Sequence, residues 1–230
     1  MNLLKDGETI EKCALKDNSK RARLAINVFW GICLVNLLAV ISGYMELELL
    51  QELSLGVVPA DEVLDANDNR QLVIGLLQTG LYLASIILFL NWFRRAYGNL
   101  HRMQVVAPEH QETMAVWSFV IPFVNLYRPY QIAKEIAAGI QMKLKAIVTD
   151  YRPANHLGVL GFWWALFIIT NYIGQFAFKT LFKDDTIEQL ITSSQAYMVS
   201  DLLDIPAAIL TLLIIQRISK EEVLLFNKLR

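Results

Sequence analysis

Apolar positions in this chain gather into four long runs, at about 24–45, 71–93, 157–178 and 198–216. Each is about as long as the roughly 20 residues a helix needs to cross a hydrocarbon core of about 30 Å. The first three contain no charged residue. In 24–43, eleven residues are Leu, Ile, Val or Phe. At about −0.3 to −0.6 kcal/mol each, they outweigh the cost of Asn27 and Asn36. The pattern predicts four transmembrane helices. The first run is expected to stay as an anchor and not be cleaved, because it is longer than a signal-peptide core and 23 mostly polar residues precede it.

The segments between the runs predict the remaining elements. "ELELLQEL" continues the first helix until Gly56 and Pro59 break it, and Asp68 or Asn69 is expected to cap the second. An inner-face element covers about 113–149. Its first part, 113–127 ("TMAVWSFVIPFVNLY"), is apolar but too short to span, so it is re-entrant, interfacial or packed on the bundle. Pro122 interrupts it, and Pro129 suits the first turn of a new helix. From 129 to about 149, Ile132, Ala133, Ile136, Ala137, Ile140, Leu144, Ile147 and Val148 fall in one arc of about 160°. Lys134, Glu135, Gln141 and Lys145 take the other side. Such a helix is expected to lie in the membrane interface.

Charge sets the threading. The formal net charge is −1, yet 18 of the 21 basic residues lie in segments 1–23, 94–156 and 217–230. The other two loops hold only Arg70, Lys179 and Lys183, and 46–69 carries seven acids. Because basic residues collect on the cytoplasmic side, both termini are expected there. The bundle thus has a basic end and an acidic end. The expected architecture is an all-α membrane protein of one integral domain over 1–230. It has four transmembrane helices, a short apolar element and an amphipathic helix.

Chemistry-bearing residues are few. Two cysteines, Cys13 and Cys33, make no disulfide framework. His101, His110 and His156 lack metal-ligand spacing, and no catalytic signature occurs, so no metal, cofactor or catalytic residue is expected. Asp201 and Asp204 interrupt the fourth run on one helix face. At the bilayer centre they would cancel the insertion energy of its ten Leu, Ile and Val residues. They therefore sit near the outer interface at a helix start, or face the bundle interior as a proton or cation site. Asn171 and Gln175, four apart, are the other candidates for an intramembrane polar site, alongside Asn27, Asn36 and Gln78. Gly75, Gly80, Gly158 and Gly161 are expected to permit close helix packing. Arg95, Asn99, Asn125 and Arg128 would form a lipid-headgroup or anionic-ligand site if the short segment folds back beside the second helix; otherwise the arginines are snorkelling anchors.

Trp92, Arg95 and Asn99 within "NWFRRAYGNL" at 91–100 begin a pattern. Trp117, Pro122, Asn125, Arg128, Pro129, Tyr130 and Gln131 within "WSFVIPFVNLYRPYQIAKEI" at 117–136 complete it. This pattern resembles the bacterial membrane family known as domain of unknown function 4328. The resemblance runs over most of the chain from the first transmembrane helix onward. It implies a polytopic protein of a bacterial cytoplasmic membrane and supplies no catalytic residues.

Two functional classes follow. One is a non-enzymatic interaction or scaffold protein, with membrane lipids and another membrane protein or a second copy as partners, and no nucleic acid. The other is a small transporter or channel-like protein using Asp201, Asp204 and the intramembrane amides. They differ in whether those polar groups line a wet path or are paired and dry.

Overall fold

A computed structural model describes residues 15–103, 107–155, 157–180 and 186–229; Cys13 and His156 lie outside them. The described residues are helical with no strand. Six α-helices run in the order α1 (Ser19–Ser54), α2 (Asp61–Met103), α3 (Met114–Val120), α4 (Arg128–Ile147), α5 (Leu157–Thr180) and α6 (Ile187–Leu229), with a 3-10 turn at Val124–Leu126 before α4. α1, α2, α5 and α6 are each long and apolar enough to cross a membrane.

Two helices start earlier than the apolar runs suggested. α2 begins at Asp61, not Asp68, with Asp61 and Glu62 in its first turn, where the helix dipole favours acids. α6 begins at Ile187, where the Thr186 hydroxyl accepts from the Gln189 N–H at 3.3 Å. It then runs through Pro206 without a break. α1 ends as expected, with Gly56 at φ 82° reversing the chain.

At 43 residues, α2 and α6 are roughly 65 Å long, about twice the hydrocarbon thickness. Their surplus builds a head at the basic end, and most of the core lies there. Trp92, Phe93, Tyr97, Leu100 and Met103 of α2 are buried with Ile215, Ile218 and Leu225 of α6 and Ile132, Ile136, Ile140 and Leu144 of α4. The amphipathic face of α4 is thus covered by protein, a correction to the expected interfacial placement. The helix ends extend past the bilayer and offer an apolar surface for it to cover. Along the spans, by contrast, Leu34, Leu37, Leu72, Leu76, Ile87 and Leu202 point outward, as lipid-facing residues do.

Within the spans, α1 packs on α6 and α2, and α5 packs on α6. The Trp163 indole donates to Thr211 Oγ1 at 3.0 Å, and Gly174 faces Ser200, which fixes the antiparallel register of α5 on α6. Gly75, Gly80 and Gly158 have no neighbour that an added Cβ would meet, so they do not mediate close packing. Gly139 does, against Leu100.

Candidate functional site: a membrane cleft and its polar wall

α2 and α5 stand apart along most of their spans, leaving a cleft of about 680 Å³. That volume falls within the roughly 300–1,000 Å³ typical of small-molecule sites. α1 and α6 form its back through Phe29, Ile32, Ala207 and Ala208; Ile86, Phe89 and Leu90 of α2 and Phe167, Phe178 and Trp163 of α5 form its sides.

The stretch 117–130 closes the cleft at the basic end. Phe119 of α3 lies 5.8 Å from Phe89 and 5.6 Å from Phe93, both edge-on, and 6.2 Å from Trp164 on the opposite side. Trp164 stacks on Phe167 at 4.9 Å, and Phe89 meets Trp163 directly at 6.3 Å, so a continuous aromatic floor joins α2 to α5 with Phe119 wedged into it. Directly after α3 the chain reverses. Val124 N–H donates to Pro122 carbonyl at 2.8 Å across Phe123, which has φ 64° and is 81 % exposed. A three-residue turn with positive φ at a bulky residue is strained by about 1–3 kcal/mol. The Trp164 indole holds the returning chain by donating to the Leu126 carbonyl at 2.7 Å. Pro129 then starts α4.

The intramembrane polar residues form a circuit. Gln78 and Tyr82, one turn apart on α2, face Asp201 and Asp204, one turn apart on α6. The Gln78 amide donates to Asp201 Oδ1 at 2.7 Å and to Asn36 Oδ1 at 3.1 Å. Tyr82 O–H donates to Asp204 Oδ2 at 2.8 Å and accepts from Asn36 Nδ2 at 3.0 Å. Asn36 of α1 is fully buried between them. The aspartates do not sit at a helix start, because α6 begins 14 residues before Asp201; they face α2 within the bundle. Tyr82 was not singled out in the sequence. Its four-residue spacing from Gln78 was the available signal.

Asp204 also reaches the cleft wall, opposite Asn171 and Gln175 of α5. The structure therefore brings Asp204, Asn171 and Gln175 to one cavity, with Asp201 joined to it through the circuit. Asn171 Nδ2 donates to the Phe167 carbonyl at 2.7 Å within its own helix.

The four residues expected to hold a headgroup enter different surroundings. Asn99 Nδ2 donates to the Lys16 carbonyl at 2.8 Å and to Glu222 Oε1, and its Oδ1 accepts from the Lys16 N–H at 3.0 Å. Glu222 Oε2 accepts from Asn18 Nδ2 at 3.0 Å, and Asn18 also donates to the Trp92 carbonyl. Segment 16–18 is thereby tied to α2 and α6. Glu222 lies beyond the apolar stretch of α6, and burial pushes its carboxyl above the usual carboxylate range, with the two amides opposing. Arg128 belongs to a second group: its Nη1 lies 3.1 Å from His110 Nδ1. Beside it, Tyr97 O–H lies 2.9 Å from Glu135 Oε2 and accepts from the His110 N–H at 3.2 Å. Arg95 and Asn125 remain partly exposed.

Glu109, His110 and Glu135 have ligand atoms within 4.8 Å of one another. Guanidinium only donates, so His110 Nδ1 accepts from Arg128 and Nε2 carries the ring hydrogen. The Arg128–His110 and Tyr97–Glu135 contacts tie the segment before α3 to α2 and α4, while His110 Nε2 and Glu135 Oε1 are buried without a hydrogen-bond partner among the described residues. Sequence spacing did not reveal that Glu222 and Glu135 pair with Asn99 and Tyr97 of α2. Acids in otherwise basic segments were the signal.

Comparisons with curated proteins and with solved structures return no match. A family model, Domain of unknown function (DUF4328), matches residues 55–220, from the loop after α1 to the head portion of α6. That is more than half of the chain and contains the α2, α5 and α6 walls of the cleft, its aromatic floor and both aspartates, but not the α1 part of its back. The chain is a multi-pass membrane protein of the DUF4328 family.

Proposed function

We propose that this protein is a non-enzymatic lipid-binding component of its membrane, holding an acyl chain in the cleft between α2 and α5. The observation that carries this reading is the cleft itself. Its opening lies between two spanning helices, so it faces hydrocarbon, and its walls and floor are mainly aliphatic and aromatic. The pairing within the Asn36–Gln78–Tyr82–Asp201–Asp204 circuit favours it over transport. Those groups satisfy one another instead of lining a path to both ends, and Phe119 blocks the basic end of the cleft.

The transport reading draws on one feature, the Asp204 carboxylate at the cleft wall. It requires that Asp201→Asn with Asp204→Asn abolish a measurable flux in proteoliposomes.

Native mass spectrometry after detergent exchange tests the lipid reading. The wild type is expected to retain phospholipid stoichiometrically. Ile86→Trp, which fills the cleft, is expected to lose it, and Leu76→Trp, which points to bulk lipid from the same helix, is expected to keep it. Equal retention by all three, or none by the wild type, would overturn the reading.

A further inference from the structure

The cleft wall carries a polar ladder that gives the occupant a direction. Asn171, Gln175 and Lys179 follow one another at four-residue intervals on α5, and all three line the cleft. Three hydroxyls of the spans are turned back on their own helices. Thr79 donates to the Gly75 carbonyl, Ser85 to that of Tyr82 and Thr170 to that of Phe167. The Gln175 amide has no hydrogen-bond partner among the described residues, nor does Asn171 Oδ1. An amide at hydrocarbon depth is costly unless something pairs with it. In a cleft that opens sideways, that partner is a lipid.

Depth identifies which part of the lipid. Lys179 directly follows the apolar run of α5, so it stands at headgroup level on the acidic end. Gln175 lies about 6 Å deeper and Asn171 about 12 Å deeper, by the rise of a helix. That puts Gln175 at the depth of glycerol ester groups below a phosphate and Asn171 beside the start of the acyl chain, which runs down to the floor at Phe119 and Trp163. The Asp204 carboxylate does not oppose such a phosphate. The contacts of Trp163 with Thr211 and Gly174 with Ser200 put Asp204 level with Thr170, about 13 Å below Lys179. Tyr82 also donates to it.

We infer that the cleft selects a phosphate-bearing glycerolipid of the leaflet at the acidic end, with Lys179 on the phosphate and Gln175 on the ester region. This rests on the lipid reading above and adds headgroup class and leaflet to it.

Lipid exchange measured by native mass spectrometry on the full chain, with phosphatidylglycerol and diacylglycerol of identical acyl chains, tests the inference. The wild type is expected to retain phosphatidylglycerol about five-fold better, the effect of one lysine near a charged surface. Lys179→Gln is expected to lose that preference, and Lys179→Arg to keep it. Gln175→Leu is expected to weaken both lipids alike. Equal retention of the two lipids by the wild type, or an unchanged preference in Lys179→Gln, overturns the headgroup assignment and leaves the acyl cleft standing. Displacement of phosphatidylglycerol by millimolar inorganic phosphate overturns it in favour of a free-phosphate site. Retention of neither lipid overturns both readings.

Discussion

Gly139 offers the sharpest test of how α4 docks. A Cβ placed there would overlap Leu100 Cδ1, with Leu100 Cγ at 3.4 Å and Cδ2 at 3.7 Å. Leu100 is 2 % exposed and sits among core side chains of α2, α4 and α6, so its isobutyl group has little room to rotate away. Overpacking of this kind costs about 1–3 kcal/mol. Alanine in a helix interior is favoured over glycine by about 1 kcal/mol, which opposes it. Gly139→Ala should therefore be neutral to destabilising by about 2 kcal/mol. Leu100→Ala alone leaves a cavity and should cost about 2–5 kcal/mol. In that background the added methyl meets no clash and partly refills the cavity, so Gly139→Ala should stabilise by about 1 kcal/mol or more. The sign reverses, and the cycle isolates a coupling of about 1–3 kcal/mol. Thermal unfolding of the four proteins in nanodiscs reads it, at about 2–4 °C per kcal/mol for a chain of this size. If Gly139→Ala shifts the midpoint equally in both backgrounds, Gly139 and Leu100 do not touch and the docking of α4 on α2 is wrong.

Three further outcomes follow from the polar groups. Tyr82→Phe removes the O–H that donates to Asp204 and accepts from Asn36. It should cost about 0.6–1.7 kcal/mol, the range of interhelical hydrogen bonds in membranes, and an unchanged midpoint in nanodiscs would dissolve the circuit. Asn99→Ala removes both bonds that hold Lys16 to α2, leaving Asn18 as the segment's hold there and as the partner of Glu222. Trypsin should then cleave after Lys16 and Lys20 several-fold faster, whereas equal rates would show that the segment is not fastened there. Glu222 should make stability pH-dependent. Its carboxyl is raised by burial and by Asp17, against the Asn99 and Asn18 amides and Arg95. Its contribution is therefore full below the ordinary glutamate value of about 4.3 and is lost as pH rises through the elevated one. Wild type minus Glu222→Gln should decline on titration upward from about pH 4, and a flat difference would refute the burial argument.

What was legible in the sequence divides by the range of the interaction. The four spans depend on run length and the helix of 129–149 on a 3.6-residue period, both local properties, and both kinds of element are present. Where α4 settles is not local. Its apolar arc fits a membrane surface as well as a protein one, and the choice falls to the unmatched lengths of α2 and α6, whose extensions past the apolar runs carry too many charges to read as span. The aspartates show the same division. Their cost in hydrocarbon was readable from Asp201 and Asp204 alone, but their partners come from α1 and α2, more than a hundred residues away in chain order. Pro122 and Pro129 marked a turn. Only the fold shows that the turn drives Phe119 between α2 and α5 and leaves Phe123 in a strained, exposed conformation. Strain of that kind persists only where the surroundings hold it, here the Trp164–Leu126 hydrogen bond and the aromatic floor. The segment too short to span is thus what ends the cleft, and it sets the cleft's depth.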